Sequence, residues 1–155
     1  MKKTVVSIII IAAVIFVGWL LLSNNKVKTG MNDNQKQVFD SLIESGKLKI
    51  DVAQEGNGPS AVIGNKVTVN YTGRFPDGKA FDSNVDPAFL HPEPFSFTLG
   101  EGRVIQGWEL GVLGMKVGEK RVLTIAPELG YGSADHGSIP GNSTLIFDVE
   151  LVAIN

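Results

Sequence analysis

The fold is decided near the middle of the chain by the stretch Gly102-Arg103-Val104-Ile105-Gln106-Gly107-Trp108-Glu109-Leu110. Val104, Ile105 and Trp108 recur at helical spacing, so a helix of one turn or more would place them on one face. Gly107 and Gly111 flank Trp108 and are expected to leave room around its large ring. Two interpretations are open: a core helix that buries Trp108 as packing, or a helix on which Trp108 forms the floor of an apolar pocket.

Runs of alternating polar and apolar residues lie on both sides of this stretch. Such alternation is typical of β-strands with one buried face. The runs are residues 47–52, 66–71, 95–99, 121–126 and 145–154. Gly, Pro or Asp bounds each run, and Pro76-Asp77-Gly78 is a hairpin signal. The pattern predicts an α+β domain in which about five antiparallel strands wrap around one short α-helix.

An apolar segment near the amino terminus precedes this domain. Residues 5–22 carry no charge, and as a helix they would span about 27 Å, close to the hydrocarbon thickness of a bilayer. Trp19, near the end of the segment, suits a membrane–water interface. We therefore expect residues 1–4 to be a short tail and residues 5–22 to be an uncleaved transmembrane anchor in the lipid bilayer. The alternative is a cleaved secretory signal peptide, although the segment is longer than the usual apolar core and lacks a small-residue cleavage site.

The expected location is a single-pass membrane protein with its soluble domain outside the cytoplasm. Lys2 and Lys3 precede the apolar segment and Lys26 and Lys28 follow it, so the positive-inside rule is nearly balanced. The orientation rests on a short tail followed by a long soluble domain. Export of the domain after signal cleavage is the alternative.

Residues 23–46 are interpreted as a linker and a short amphipathic helix, and residues 47–155 as the domain. Asn32 or Asp33 can cap the start of this helix, and Gly46 can end it. A helix of about a dozen residues is marginal alone, so it must pack on the domain, on a partner or on another copy. Its apolar stripe consists of Val38, Phe39, Leu42 and Ile43.

Charge and composition exclude several classes of function. Residues 29–155 carry 10 basic and 16 acidic groups, a formal net charge of −6, so nucleic acid is not an expected partner. The chain has no Cys, which excludes disulfides and thiolate chemistry. His91 and His136 are the only histidines and do not show a metal-ligand spacing. Three acids are interpreted as surface or strand-edge charges: Glu109, Glu119 and Asp148.

An ordered series of motifs resembles the FKBP-type peptidyl-prolyl cis–trans isomerases. The resemblance runs from about Gly56 to Leu151 and is specific because the motifs occur in order. The motifs are Val69-Asn70-Tyr71-Thr72-Gly73, Asp77-Gly78, Phe81-Asp82-Ser83, Phe95-Ser96-Phe97-Thr98-Leu99-Gly100, Val104-Ile105-Gln106-Gly107-Trp108, Gly114-Met115-Lys116-Val117-Gly118-Glu119, residues 127–132, Ile139-Pro140 and residues 144–151.

This resemblance implies a bent antiparallel half-barrel around the short helix, with the active site in the hollow between them. Trp108 is then the pocket floor, the backbone N–H of Ile105 binds a substrate carbonyl, and Asp82 is the polar group of an apolar site, with Tyr71 or Tyr131 as its hydrogen-bond partner. The implied catalytic residues are Tyr71, Phe81, Asp82, Ile105, Trp108, Tyr131 and Phe147. The implied substrate-binding residues are Phe95, Phe97, Val104, His136 and Ile139, with an ordinary loop position as the alternative for His136.

The implied reaction is rotation about X–Pro peptide bonds in client polypeptides, which needs no cofactor or metal. Proline-containing polypeptides and the macrolide inhibitors of the family are the implied partners. A catalytically inactive peptide-binding module of the same fold and a purely structural membrane-tethered domain are the alternatives. Two loops depart from the family pattern: residues 83–94 form a longer segment, in which Phe89 and Leu90 look exposed, and the loop from His136 to Ile139 is shorter.

Overall fold

A computed structural model describes residues 29–155, so the predicted anchor at residues 5–22 lies outside the described residues. Within residues 29–155, no helix has the length and apolar character needed to cross a membrane. The elements in chain order are α1 (Asp33–Glu44), β1 (Leu48–Gln54), β2 (Lys66–Arg74), β3 (Ala80–Ser83), β4 (Phe95–Thr98), α2 (Gln106–Val112), β5 (Lys120–Ile125), a 3₁₀ turn (Pro127–Leu129) and β6 (Leu145–Ile154).

The strands form one sheet in the order β1-β5-β6-β2-β3, and β4 also pairs with β2. Every strand pair is antiparallel. The predicted antiparallel sheet with one short helix is therefore confirmed. The strand β3 was not predicted as a strand, and it is joined to β2 by the predicted hairpin, in which Gly78 has a φ of 89°.

The central strands bury one face because their apolar residues alternate. On β2 the side chains of Val67 and Val69 are fully buried, and on β6 Leu145, Phe147 and Leu151 are buried. The edge strand β1 departs from this pattern because only Leu48 is buried there. Its last predicted apolar position, Val52, is 47% exposed.

One edge of β2 has a gap that shapes the neighbouring loop. β4 pairs with residues 66–69 of β2 and β3 pairs with residues 72–74, so no strand covers the middle. The buried side chain of Asn84 fills this gap: its Oδ1 accepts from the N–H of Tyr71 at 2.7 Å, and its Nδ2 donates to the C=O of Val69 at 3.3 Å. The side-chain amide replaces the missing strand and anchors the loop that follows it.

Helix α2 lies unusually close to β5. A Cβ added at Gly107 would come within 2.5 Å of Ile125, and one at Gly111 within 2.5 Å of Leu123. These glycines were expected to leave room around the Trp108 ring. That expectation was wrong, because the space beside each glycine is filled by a side chain of β5.

Helix α1 begins after Asn32, one of the two N-cap residues predicted from the sequence. The Asn32 and Gln35 side chains form a reciprocal capping box, and Gly46 follows the helix with a φ of 72°. Phe39 and Leu42 pack partly against the core, but no residue of α1 is fully buried. The helix therefore packs on its own domain with a narrow contact.

The prediction that Glu119 is a surface charge was wrong, because its side chain is only 4% exposed. Arg121 pairs with it at 2.5 Å and also donates to the carbonyls of Gly111 and Leu113 at the end of α2. Glu119 in turn accepts from the N–H of Lys116 at 2.9 Å. The pair is buried because it satisfies backbone groups at the carboxyl end of the helix, where a cation is favourable.

Candidate active site

The floor of the largest aromatic cluster is Trp108, which α2 holds against the concave face of the sheet. Trp108 is 4% exposed. Four aromatic rings surround it within 6.0 Å between centroids, mostly edge to face, an arrangement favoured by the ring quadrupoles. These rings belong to Tyr71, Phe95, Phe97 and Phe147. Within residues 29–155, the buried indole Nε1 has no hydrogen-bond partner.

Phe81 extends the aromatic wall from β3. Its ring meets that of Phe147 edge to face at 5.5 Å and that of Phe75 at 4.9 Å. Gly73 on β2 lies directly beneath, where an added Cβ would come within 2.7 Å of both Phe81 and Phe147. The absence of a side chain at Gly73 is therefore what lets these two rings pack together.

Ile105 is the N-cap of α2, with extended backbone angles of −58° and 148°, so the helix begins one residue later. Val104 and Ile105 therefore precede the helix, and the expectation that both share a helical face with Trp108 was wrong. Within residues 29–155, the N–H of Ile105 donates to no protein acceptor. Ile105 also borders the cavity.

Asp82 is the acid of the cavity, and both of its carboxylate oxygens have a polar neighbour. The hydroxyl of Tyr71 donates to Oδ2 at 2.7 Å, which settles the partner that the sequence left open between Tyr71 and Tyr131. Nε2 of His91 lies 2.9 Å from Oδ1. The ion-dipole contacts hold this polar group in a site that is otherwise aromatic.

Burial and the Asp82 charge keep the two tyrosines of the cavity in their neutral form. Desolvation, followed by the hydrogen bond to Asp82 and the negative charge of Asp82, raises the pKa of Tyr71 well above its usual range. Desolvation and then the charge of Asp82 also raise the pKa of Tyr131. Both hydroxyls therefore remain proton donors throughout the neutral pH range.

Tyr131 and His136 form the opposite rim. Their rings stack with centroids 4.4 Å apart and planes 12° apart. A short turn holds His136 in place, because its N–H and the N–H of Ile139 exchange hydrogen bonds with each other's carbonyl groups. The shortened loop thus presents one flat, amphipathic surface at the edge of the cavity.

The cavity enclosed by these groups has a volume of about 690 Å³ and brings together eleven of the twelve site residues predicted from the sequence. Phe97 is the exception, since it is buried behind Trp108 and Phe95 and does not line the cavity. The eleven are Tyr71, Phe81, Asp82, Phe95, Val104, Ile105, Trp108, Tyr131, His136, Ile139 and Phe147.

Several residues of the site were missed by sequence reasoning. Arg103 lines the mouth of the cavity and pairs with Glu101 at 3.0 Å. His91 was considered only as a metal ligand, although it binds Asp82. Its signal was the length of the loop after Asp82, which is long enough to carry an imidazole back towards β3. The remaining additions are the small residues Gly102, Gly137 and Ser138.

The arrangement favours binding without covalent chemistry. Among residues 29–155, no three His, Asp or Glu side chains come together as a metal site. The polar groups of the cavity include the Asp82 carboxylate, the neutral hydroxyls of Tyr71 and Tyr131 and the backbone N–H of Ile105, with Arg103, His136 and Ser138 at its edge. Such a site encloses an apolar group and fixes the polar atoms beside it.

The fold and the cavity define a class of small domain in which an antiparallel sheet and a short helix enclose an aromatic pocket that suits an apolar group. Residues 58–152 match the sequence model of a family described as FKBP-type peptidyl-prolyl cis-trans isomerase. The chain belongs to this family, and it is a peptidyl-prolyl cis–trans isomerase.

Similar proteins agree with this assignment. FK506-binding protein 1A of Neurospora crassa is 53% identical over 109 residues, which cover 69% of this chain and 88% of that protein. FK506-binding protein 2 of Dictyostelium discoideum is 56% identical over 93 residues, covering 59% of this chain and 67% of that protein. The 49% identity to FK506-binding protein 4 of Aspergillus oryzae covers only 22% of that longer protein.

Proposed function

We propose that the cavity accelerates X–Pro rotation by enclosing the proline ring over Trp108 and stabilising the twisted peptide bond. The uncatalysed barrier is about 18–20 kcal/mol because the planar peptide bond has partial double-bond character. Aromatic walls disfavour the charge-separated planar form relative to the twisted one. The observation that carries this proposal is the grouping of eleven predicted site residues around one aromatic floor.

Fixed donors at the rim supply the polar part of the mechanism. The free N–H of Ile105 is available to a carbonyl beside the proline, and the neutral hydroxyl of Tyr131 is available from the opposite lip. Only contacts that are stronger in the twisted state than in either planar isomer increase the rate. Asp82 contributes by keeping Tyr71 oriented and neutral beside the proline ring.

Removing an aromatic wall or the floor tests this mechanism. We expect Phe81→Ala and Trp108→Leu each to lower kcat/KM on a proline tetrapeptide about ten- to a hundredfold, because each removes about 1.5–3 kcal/mol of apolar contact. The relatives are named for binding FK506, and we propose that this macrolide occupies the same cavity. The same variants should therefore weaken FK506 binding measured by calorimetry.

Phe39→Ala is the matched control, because it truncates an aromatic residue of α1 outside the cavity. It should keep wild-type kcat/KM. Circular dichroism must show folded protein for all three variants. Full activity in both Phe81→Ala and Trp108→Leu would show that the cavity does not carry the reaction.

We also propose that residues 5–22 are a single transmembrane anchor and that the isomerase domain acts outside the cytoplasm on proline-containing polypeptides. The support is the uncharged stretch of 18 residues and the Trp19 near its end. We expect the full chain to stay in the membrane fraction after an alkaline carbonate wash, and protease added outside intact cells to digest the domain. Replacing Ile9 and Ile11 with Lys should release the chain from the membrane.

The mass of the mature chain separates this proposal from its alternative. An intact amino terminus in the membrane fraction supports the anchor. A mature chain that begins after the apolar segment, recovered in soluble form, would instead establish signal cleavage and overturn the anchor.

A further inference from the structure

The segment between β3 and β4, residues 84–94, begins and ends at the wall of the cavity, and we call it the rim loop. Asp82 precedes the rim loop by two positions and Phe95 follows it directly. Both of these side chains line the cavity. The rim loop is also the segment whose length departs from the family pattern. Its two ends are therefore fixed by the geometry of the site.

A buried amide closes the base of the rim loop. Oδ1 of Asn84 accepts from the N–H of Tyr71 at 2.7 Å, and Nδ2 of Asn84 donates to the carbonyl of Glu93 at 3.1 Å. One side chain thus joins the start of the loop to β2 and the end of the loop to its start.

Short turns order the outer part of the rim loop. Oγ of Ser83 accepts from the N–H of Asp86 at 3.0 Å, and Oδ1 of Asp86 accepts from the N–H of Ala88 at 2.9 Å. The N–H of Phe89 donates to the carbonyl of Asp86 at 3.0 Å, and the N–H of His91 donates to the carbonyl of Phe89 at 2.9 Å. The three prolines of the loop restrict its backbone further. A loop that is ordered before binding loses little conformational entropy when it binds a ligand.

Leu90 projects into water from this ordered backbone. It is 94% exposed, the largest exposure of any large apolar residue within residues 29–155. A single exposed apolar residue is common on protein surfaces, so exposure alone assigns no role. Because the side chain buries almost no surface in the domain, it contributes almost nothing to the stability of the fold.

The position of Leu90 beside the cavity distinguishes it from other exposed apolar residues. Nε2 of the adjacent residue, His91, lies 2.9 Å from Oδ1 of Asp82, so this part of the rim loop bends back to the acid of the cavity. Consecutive Cα atoms are about 3.8 Å apart, and an extended chain advances about 3.3–3.6 Å per residue. A polypeptide that leaves the cavity past Asp82 therefore comes within reach of Leu90 a few residues from its proline. The exposed Val52, by contrast, lies on the edge strand β1 and does not line the cavity.

We propose that Leu90 is a client-binding residue that contacts an apolar side chain two to four residues away from the proline. The occupant is the client polypeptide, because the rim loop is continuous with the wall of the cavity that encloses the proline ring. The contact removes apolar surface of both partners from water, which favours association. The inference rests on the proposed place of the proline over Trp108.

This contact affects binding and not the rate of rotation. The contacted side chain lies beyond the rotating X–Pro bond, so the contact forms in the planar and in the twisted states alike. Equal stabilisation of the ground state and the transition state lowers KM and leaves kcat unchanged. A split between KM and kcat therefore separates a client contact from a catalytic role.

The test uses pairs of proline peptides that differ only in Leu or Ser at one position, from four residues before the proline to four residues after it. The rest of each peptide is polar, and isomerisation is followed by exchange NMR with the full chain. We expect the ratio of kcat/KM, Leu over Ser, to reach about four- to tenfold at one or more positions two to four residues from the proline. This is the size expected for burying about half of a leucine side chain. The two members of each pair should have the same kcat.

Variants locate the contact. Leu90→Ser should lower the ratio to about one, and Leu90→Met should keep it because the side chain stays apolar. Val52→Ser is the matched control and should keep the wild-type ratio. Leu90→Ser should melt at the wild-type temperature in circular dichroism, since the side chain is exposed. A wild-type ratio near one at every position, or an equal fall in Val52→Ser, would overturn the proposal.

A second copy of the chain is the competing occupant of Leu90. It would cover Leu90 as the protein concentration rises, so the Leu over Ser ratio would fall, and that result would overturn the client contact. A ratio that is independent of protein concentration supports it. Failure of the pocket mechanism is judged separately by Phe81→Ala and Trp108→Leu, whereas this ratio compares two peptides on the same active protein.

Discussion

The electrostatics of the pocket depend on one carboxylate, since Asp82 acts on both tyrosines of the chain. The sequence contains only two tyrosines, Tyr71 and Tyr131, so tyrosinate absorbance at 295 nm reports on the pocket alone. The negative charge of Asp82 repels each phenolate, and its hydrogen bond to Tyr71 stabilises the neutral hydroxyl. Both effects raise the pKa, which is the direction expected for an acid beside an anion.

We therefore expect Asp82→Asn to lower the pKa of both tyrosines, and that of Tyr71 by the larger amount. Desolvation is the largest cause for Tyr71 and remains in the variant, so its pKa should stay above the usual value. The matched control is Asp51→Asn on the edge strand β1, which should leave the titration unchanged. If Asp82→Asn leaves both midpoints in place, burial alone accounts for the raised values.

The same shifts give the sign of the stability change at high pH. The folded-state pKa of each tyrosine exceeds the unfolded value of about 10. Above about pH 10 the folded protein therefore binds more protons than the unfolded chain. The stabilising contribution of the two neutral tyrosines to the free energy of unfolding is fully present below that pH. It is lost as the pH rises towards the folded-state pKa. Because Asp82→Asn lowers the folded-state pKa of both tyrosines, it should narrow the alkaline pH range over which this stability is lost.

Among the elements, the strands with two neighbours were the most predictable from the sequence. β2 and β6 bury one face between other elements, so buried residues alternate with exposed or half-buried ones along most of each strand. β3 has four residues, of which only Ser83 is buried, and an alternation this short carries no periodic signal. β1 pairs with another strand on one side only. Its sequence alternates polar and apolar residues, yet the apolar Val52 is exposed, so at a sheet edge this alternation does not predict burial.

Helix α2 shows why spacing alone does not give the packing. The spacing of the apolar residues predicted a helix near Trp108. Which neighbours pack against Gly107 and Gly111 depends on the position of β5, and the spacing does not give that position. Glu119 immediately precedes β5 and Arg121 is its second residue, and in extended chain this spacing places both side chains on one face. That spacing indicates a pair, whereas its burial depends on the carbonyls that end α2.

The site was predictable to the extent that its residues lie in ordered motifs. Eleven predicted residues meet in one cavity because the sheet and α2 bring distant motifs together. His91 lies in the loop where the chain departs from the family pattern, and no periodicity marks the direction of a loop side chain. Its contact with Asp82 is a tertiary feature of the loop whose start Asn84 ties to β2.

Across the whole molecule, stability is unevenly distributed between the sheet and α1. The core consists of side chains from the sheet, α2 and the connections between them, and α1 contributes no fully buried residue. Phe39 and Leu42 pack only partly against that core. Before the helix, the N–H of Ile63 donates to the carbonyl of Thr29 at 3.2 Å, and where the helix ends the N–H of Lys47 donates to the carbonyl of Leu42 at 3.1 Å. Elements with few buried contacts open at lower free energy than the core.

We expect the amides of α1 to exchange with solvent through a local opening, faster than those of β2 and β6, in hydrogen-exchange measurements on the full chain. Phe39→Ser should speed exchange throughout α1 about tenfold. It removes about 1–2 kcal/mol of packing between α1 and the core, and this packing is lost only when α1 opens. Val38→Ser is the matched control: the neighbouring side chain is 55% exposed, so it should have a much smaller effect. Equal acceleration in β2 would instead mean that α1 and the sheet unfold as one cooperative unit, and that the helix is an integral part of the isomerase fold.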